Sequence, residues 1–166
     1  MDNKKLTFSA LLIALGTLTG HLIYIPVGVA KAFPVQHLIN VLSAVLLGPA
    51  FAVWNAFAIS ILRNMLGVGS LLAFPGSMIG ALLAALLYKK YKKNLAAVIG
   101  EVVGTGFLGA LAAIPVARLL MGSNAAVFFF IIPFLMSSLG GSIIAYFFLQ
   151  IVSKAEYFKG LIQEEN

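Results

Sequence analysis

The chain has 166 residues, of which 61% are hydrophobic and only 10% are charged, and its formal net charge is +6. Soluble domains carry about 25% charged residues, so this composition excludes an ordinary soluble protein and indicates an integral membrane protein. The absence of cysteine excludes disulfides, thiolate metal sites and a cysteine nucleophile.

The length of the apolar segments predicts how many times the chain crosses a membrane. A bilayer requires about 20 apolar residues per helix, so we expect an all-α protein with six transmembrane helices in a single domain covering residues 1–166. The predicted spans are residues 6–25, 35–48, 50–66, 75–90, 95–120 and 125–152. The first span lacks a small-residue cleavage pattern after a short apolar core, so no removable signal peptide is expected.

The positions of the basic residues predict the topology. Eight of the eleven are Lys4, Lys5, Lys89, Lys90, Lys92, Lys93, Lys154 and Lys159. With six spans, all eight lie on one side of the membrane. The positive-inside rule then places both termini, including the polar tail at 153–166, in the cytoplasm. This placement argues against nucleic-acid binding, and it leaves open that the loop around Lys89 attracts anionic lipid.

Residues 31–40 form a polar, proline-containing interruption of the apolar chain. Gln36 and Asn40 are four residues apart and share one helical face, while His37 is offset by about 100°. Polar groups between membrane helices are costly, so they usually line a cavity or pair with one another. We therefore expect this stretch to form one wall of a small-molecule site.

Two further positions place charge inside the predicted spans. Arg63, beside Asn64, is permanently charged; it either snorkels to the interface or projects into a cavity. Glu101 is the only acidic residue within the spans, and Thr105 lies one turn further on the same face. Glu101 either takes part in a ligand site or forms a buried hydrogen bond to a neighbouring helix.

Glycines are concentrated in the fifth span. They are Gly100, Gly104, Gly106 and Gly109. Each costs about 1 kcal/mol relative to alanine in a helix. Such a concentration indicates a compensating gain in helix packing or in room for a ligand.

Catalytic and metal-binding patterns are weak in this chain. The sequence has no phosphate-binding loop, so we do not expect the chain itself to use ATP. A metal site would need His21, His37 and Glu101 together, and hydrolysis by Ser137 or Ser138 would need His37 as the base. We disfavour both and expect no enzyme activity, no metal and no cofactor.

A mainly apolar pocket with a few polar groups suits a small neutral or heteroaromatic ligand. The candidate substrate-binding residues are Phe33, Gln36, His37, Asn40, Arg63, Asn64, Phe74, Glu101, Thr105 and Ser137. Phe33 and Phe74 border two proline breaks, where an aromatic ligand can stack. The phenylalanines at 128–130 are expected to form a lipid-facing cluster or an interfacial belt instead.

Several segments together resemble the ThiW family of substrate-binding S-components of energy-coupling-factor (ECF) vitamin transporters. The segments are residues 25–37 with Asn40, residues 46–49, Arg63 and Asn64 with residues 72–77, and residues 100–106. The small-residue pair Ala10 and Ala14 in the first span adds to the resemblance. As a set these motifs are specific and spread over most of the chain.

The resemblance implies a function. S-components form a six-helix membrane bundle, capture a vitamin or its precursor at the outer face of the prokaryotic cell membrane, and work with a separate transmembrane coupling subunit and two cytoplasmic ATPases. Ala10 and Ala14 would contact the coupling subunit, and the implied substrate is hydroxyethylthiazole, a thiamine precursor. Two alternatives remain open: a structural subunit of a membrane complex, and a stand-alone facilitator.

Overall fold

The computed structural model describes residues 3–20, 22–27, 30–122 and 127–152. The helices in these ranges are α1 (Asn3–Thr19), α2 (Pro34–Leu46), α3 (Pro49–Met65), α4 (Ala73–Tyr91), α5 (Asn94–Val103), α6 (Ala110–Met121) and α7 (Val127–Val152). A π-helical segment, Gly104–Gly109, joins α5 to α6 without interruption. His21, Lys154, Lys159 and the rest of the tail lie outside the described residues.

The described part of the chain forms six continuous helices, because α5, the π-helical segment and α6 together make one helix. This arrangement confirms the predicted helical class and number of helices. Most helix ends lie within a few residues of the predicted bounds. The hydrophobic runs and the Pro and Gly residues between them were therefore sufficient to locate the helices.

The end of the first helix was predicted wrongly. The predicted span reaches residue 25, but α1 ends at Thr19, and Ile25–Val27 (β1) pairs antiparallel with Ala30–Ala32 (β2). Pro26 has no backbone N–H and blocks a helix here, whereas it is tolerated in a two-stranded ribbon, where it lies opposite Lys31. A small hairpin therefore replaces the predicted end of the span and part of the outer loop.

Prolines begin the two helices that follow the hairpin. Pro34 is the first residue of α2, and Pro49 is the first residue of α3. Proline suits this position because the first helical N–H has no partner within the helix. Gly48, between them, has φ +84°, a left-handed conformation that allows the sharp reversal from α2 into α3.

Helix α2 is the centre of the bundle. Eleven of its 13 residues are buried, among α1, α3, α4, α5 and α7. This enclosure explains how a helix too short for a straight crossing is tolerated, since its ends are covered by protein. It also means that every polar side chain on α2 must find a protein partner or face an internal cavity.

Glycines bring α4 and the π-helical segment into backbone contact. A Cβ atom on Gly104 would lie 2.7 Å from the Cα atom of Gly80, and one on Gly109 would lie 2.6 Å from the Cα atom of Gly76. Neither position has space for a side chain. The predicted gain in helix packing from these glycines is confirmed.

Replacing Gly104 with alanine is expected to destabilise the protein by about 1–3 kcal/mol, because the new methyl group would overlap the α4 backbone, which cannot rotate away. Thermal unfolding in detergent measures the change. Gly140→Ala is the matched control, since its Cβ would meet Pro34 at 3.5 Å, an ordinary contact. Equal destabilisation by both substitutions would contradict this account of the packing.

Two helices of the described residues are long and apolar enough to cross a membrane: Asn94–Leu120, with 27 residues, and Phe129–Val152, with 24. The helix Pro34–Leu46 is apolar but shorter. Six crossings with both termini in the cytoplasm stay a prediction.

Candidate functional site

A cavity of about 580 Å³ lies at the end of the bundle where α2 and α4 begin. The polar residues that line this cavity are Gln36, His37, Arg63, Ser70, Ser77, Thr105 and Ser137. Aromatic side chains lining it come from Tyr24, Phe33, Phe129, Phe130 and Phe134. This combination of a largely apolar wall and a few polar groups is typical of sites for small organic ligands.

Gln36 is held in one orientation by three hydrogen bonds. Its Nε2 donates to Ser60 Oγ at 3.0 Å and to Ser77 Oγ at 2.9 Å. Its Oε1 accepts from Arg63 Nη1 at 2.5 Å. Both ends of the amide are satisfied by α3 and α4, so Gln36 serves mainly to position Arg63 and Ser77 at the cavity.

The carboxyl group of Glu101 organises a second part of the wall. Its Oε1 accepts from His37 Nδ1 at 2.7 Å, from Asn40 Nδ2 at 2.9 Å and from Thr105 Oγ1 at 3.0 Å. Asn40 Nδ2 also donates to Ser77 Oγ at 2.8 Å. Glu101 is fully buried and does not line the cavity. It therefore holds His37 and Thr105, which do line the cavity, from behind.

The bond to Glu101 sets the chemistry of His37. In the tautomer that carries its proton on Nδ1 and donates it to Glu101, the ring leaves Nε2 as an acceptor. Within the part of the chain that the structure describes, Nε2 forms no hydrogen bond. A hydroxyl or N–H group of a ligand in the cavity can therefore donate to it.

Arg63 does not snorkel to the surface. Only 2% of the residue is exposed, and it lines the cavity. Its Nη2 donates to the Val68 carbonyl at 3.3 Å, and its guanidinium carbon lies 4.3 Å from the centre of the Phe33 ring. Of the two alternatives drawn from the sequence, the structure supports the cavity and contradicts the interface.

Six of the ten candidate residues line the cavity: Phe33, Gln36, His37, Arg63, Thr105 and Ser137. Ser137 Oγ accepts from the Phe33 backbone N–H at 2.7 Å, which ties α7 to the residue preceding α2. Asn40 and Glu101 lie behind the wall in the network described above. These residues are distant in sequence and come together because each buried polar group needs a partner on another helix.

Asn64 and Phe74 do not line the cavity. Asn64 Nδ2 donates to the carbonyls of Ser60 at 2.8 Å and Ser70 at 3.2 Å, so it holds the turn after α3, which itself lines the cavity. Phe74 packs edge-on against Phe57, with 5.9 Å between ring centres. Asn64 therefore supports a wall of the cavity from outside, whereas Phe74 contributes to the packing between helices.

Ser77 lines the cavity but was not among the residues predicted from the sequence. It is 2% exposed, and its hydroxyl connects Gln36 with Asn40. The signal in the sequence was its position near the start of α4, two residues after Pro75. Serine is so well tolerated in apolar helices that this position alone did not distinguish it.

The expectation that the phenylalanines at 128–130 form a lipid-facing or belt cluster is wrong for Phe130. Phe129 and Phe130 both line the cavity, but Phe129 is 44% exposed and Phe130 only 6%. Phe130 is buried because it packs in a cluster with Ala110 and Ala117 of α6. The Phe128 side chain lies outside the described residues.

A protein-family model described as thiamine-precursor transporter protein (ThiW) matches residues 6–155. No curated protein sequence and no solved structure matches the chain. The family match covers most of the chain, and a transporter with two long apolar helices is a membrane protein. The chain therefore belongs to the ThiW family of thiamine-precursor transporter proteins.

Proposed function

We propose that the protein is the substrate-capture subunit of an ECF-type importer and that its substrate is hydroxyethylthiazole. The observation that carries the proposal is the cavity in which His37, held by Glu101, and Arg63, held by Gln36, meet a wall of phenylalanines. Family membership supports transport of a thiamine precursor. The choice of the thiazole and the ECF assembly are inferences from the resemblance.

The cavity suits the chemistry of hydroxyethylthiazole. The hydroxyl of the ligand can donate to His37 Nε2, and an Arg63 N–H can donate to the ring nitrogen. The ring then packs against the phenylalanines of α7, where stacked or edge-on aromatic contacts contribute about 0.5–1.5 kcal/mol beyond the burial of apolar area. Every partner in this arrangement lines the cavity.

The surface of α1 is consistent with a partner subunit. Ala10 and Ala14 are exposed, whereas Ser9 and Leu12 face the bundle. Small residues at this spacing allow another helix to approach closely. We propose that the coupling subunit packs here, that two ATPase subunits supply the energy, and that the bound subunit topples in the bilayer to carry the cavity from the outer to the inner face.

A ligand panel tests the substrate. The purified chain is titrated with hydroxyethylthiazole, the aminopyrimidine precursor and thiamine, by calorimetry and by thermal unfolding. Hydroxyethylthiazole is expected to bind most tightly and, at a hundredfold excess over Kd, to stabilise the fold by about 2.7 kcal/mol. Tighter binding of the aminopyrimidine or thiamine would show that the substrate assignment is wrong.

Two further outcomes would favour the alternatives to this proposal, which are a structural subunit of a membrane complex and a stand-alone facilitator. If none of the three compounds raises the unfolding temperature, the structural-subunit alternative is favoured. If cells that express this chain alone, without a coupling subunit, accumulate the labelled thiazole, the protein is a stand-alone facilitator.

A further inference from the structure

Arg63 is a buried cation without a counter-anion in the described part of the chain. Glu101 is the only acidic residue described there, and its hydrogen bonds go to His37, Asn40 and Thr105. No described carboxylate forms an ion pair with Arg63. A permanent charge taken out of water without a partner is strongly unfavourable, so the arrangement favours a ligand that brings the missing charge.

The guanidinium group of Arg63 also has N–H groups that form no hydrogen bond within the described part of the chain. Of its five N–H groups, one donates to Gln36 Oε1 and one to the Val68 carbonyl. The Nε atom is buried without a hydrogen-bond partner. Phe33 covers one face of the group and offsets part of its charge. Nε lies next to Gly20, where an added Cβ would be 3.3 Å away. The donors that Arg63 offers to a molecule in the cavity are therefore the second N–H groups of Nη1 and Nη2, for which no partner is found in the described part of the chain.

Two helix ends add partial positive charge to the cavity near Arg63. They are the first turns of α2 and α4, where the helix dipole carries partial positive charge. The carboxyl group of Glu101 lies behind the wall, where it bonds to His37, Asn40 and Thr105, and no aspartate or glutamate among the described residues lines the cavity itself. The last turn of α3, which contains Arg63, supplies only the partial negative charge of a helix end. A compact anion is the group whose charge complements Arg63 and the two helix starts.

We infer that the cavity binds a compact anionic group, a carboxylate or a phosphate monoester, carried on a small aromatic ring, with Arg63 as its partner. Guanidinium groups bind such anions through paired, charge-assisted hydrogen bonds. The identity of the ring rests on the proposed function. If that ring is the thiazole, the phosphate monoester of hydroxyethylthiazole, or a thiazole acetic acid, binds more tightly than the free alcohol.

Calorimetric titration of the purified protein with these three compounds tests the inference. At least one anion is expected to bind at least tenfold more tightly than the alcohol. Arg63→Gln is expected to abolish the difference, and Arg63→Lys to keep part of it, because lysine retains the charge but not the paired geometry. Equal or tighter binding of the alcohol, or a preference that survives in Arg63→Gln, would overturn the inference.

Gln36→Glu provides a second variant with little change in shape. It places a carboxylate against Arg63 Nη1, where the amide oxygen now lies at 2.5 Å, so it supplies the counter-charge from within the protein. The preference for the anion is expected to disappear or to reverse in favour of the alcohol. Asn55→Ala removes a buried polar group that does not line the cavity and should leave the ratio of affinities unchanged. An unchanged ratio in Gln36→Glu would count against the role of Arg63.

Benzyl alcohol, benzyl phosphate and inorganic phosphate separate this inference from the proposed function. If the thiazoles do not bind but benzyl phosphate binds in an Arg63-dependent manner, the anion subsite is supported and the thiazole assignment is wrong. If inorganic phosphate competes, the subsite recognises the anion itself. If hydroxyethylthiazole binds and no anion binds better, the anion inference falls and the proposed function stands.

Discussion

Replacing Glu101 with alanine is expected to weaken ligand binding at least tenfold, which is about 1.4 kcal/mol. The Glu101 Oε1 atom accepts from His37, Asn40 and Thr105. Without it, His37 Nδ1 has no acceptor, and one unsatisfied buried group costs about 1–3 kcal/mol. Asn40 and Thr105 each lose one acceptor but keep another, on Ser77 and Gly76. His37 also loses the partner that fixes its ring and leaves Nε2 available to the ligand.

Calorimetric Kd values for hydroxyethylthiazole, measured well below the unfolding temperature, test this effect. Glu101→Gln keeps an acceptor oxygen in nearly the same place, so it should retain more affinity than Glu101→Ala. If the alanine variant binds as tightly as the unaltered protein, Glu101 does not support the site.

Asn55 offers a matched control for this experiment. It lies in a separate buried network, where its Oδ1 accepts from Ser9 Oγ at 2.5 Å and its Nδ2 donates to Ser43 Oγ at 2.9 Å. Asn55 does not line the cavity. Asn55→Ala should therefore lower the unfolding temperature without changing the Kd. Equal losses of affinity in Asn55→Ala and Glu101→Ala would attribute the effect to general destabilisation.

Replacing both Ala10 and Ala14 with leucine is expected to abolish assembly with the coupling subunit and to leave ligand binding unchanged. Both alanines lie on the exposed face of α1, and neither lines the cavity. Leucine side chains would hold the partner helix away from the backbone of α1, and close approach is what small residues provide in a membrane.

Co-purification with a tagged coupling subunit measures assembly, and calorimetry on the isolated chain measures binding. Ala50→Leu serves as the control, because Ala50 is also exposed but lies at the start of α3. Assembly that survives the double substitution would place the contact elsewhere. Loss of assembly in Ala50→Leu as well would show that added bulk at any exposed alanine is harmful.

The helices were predictable because local sequence controls them. The apolar runs are separated by Pro and Gly residues, and Pro34, Pro49 and Gly48 mark helix ends through the lack of an N–H or through a left-handed φ. The hairpin at 25–32 was not predictable in this way. Its strands are three residues each, too short to show an alternating pattern.

The sequence allowed us to predict which residues form the candidate site, but not how their side chains are arranged in it. Polar groups such as Gln36, His37 and Glu101 stand out against an apolar sequence, and the cost of burying them implies that they meet. Whether a side chain lines the cavity or supports it from behind depends on the rotation of each helix. Arg63 and Asn64 are adjacent, yet the first lines the cavity and the second bonds to the turn beyond it.

The sequence by itself indicated a membrane protein with about six helices and a set of polar groups that need partners, because the energetic demands of a bilayer act on every segment separately. Only the tertiary structure decided that Ser77 connects Gln36 to Asn40, that Glu101 bonds to His37, and that Phe130 turns inward. Each of these outcomes depends on where another helix packs. Close glycine contacts join α4 to α5 and α7 to α2, and α6 packs against Phe130.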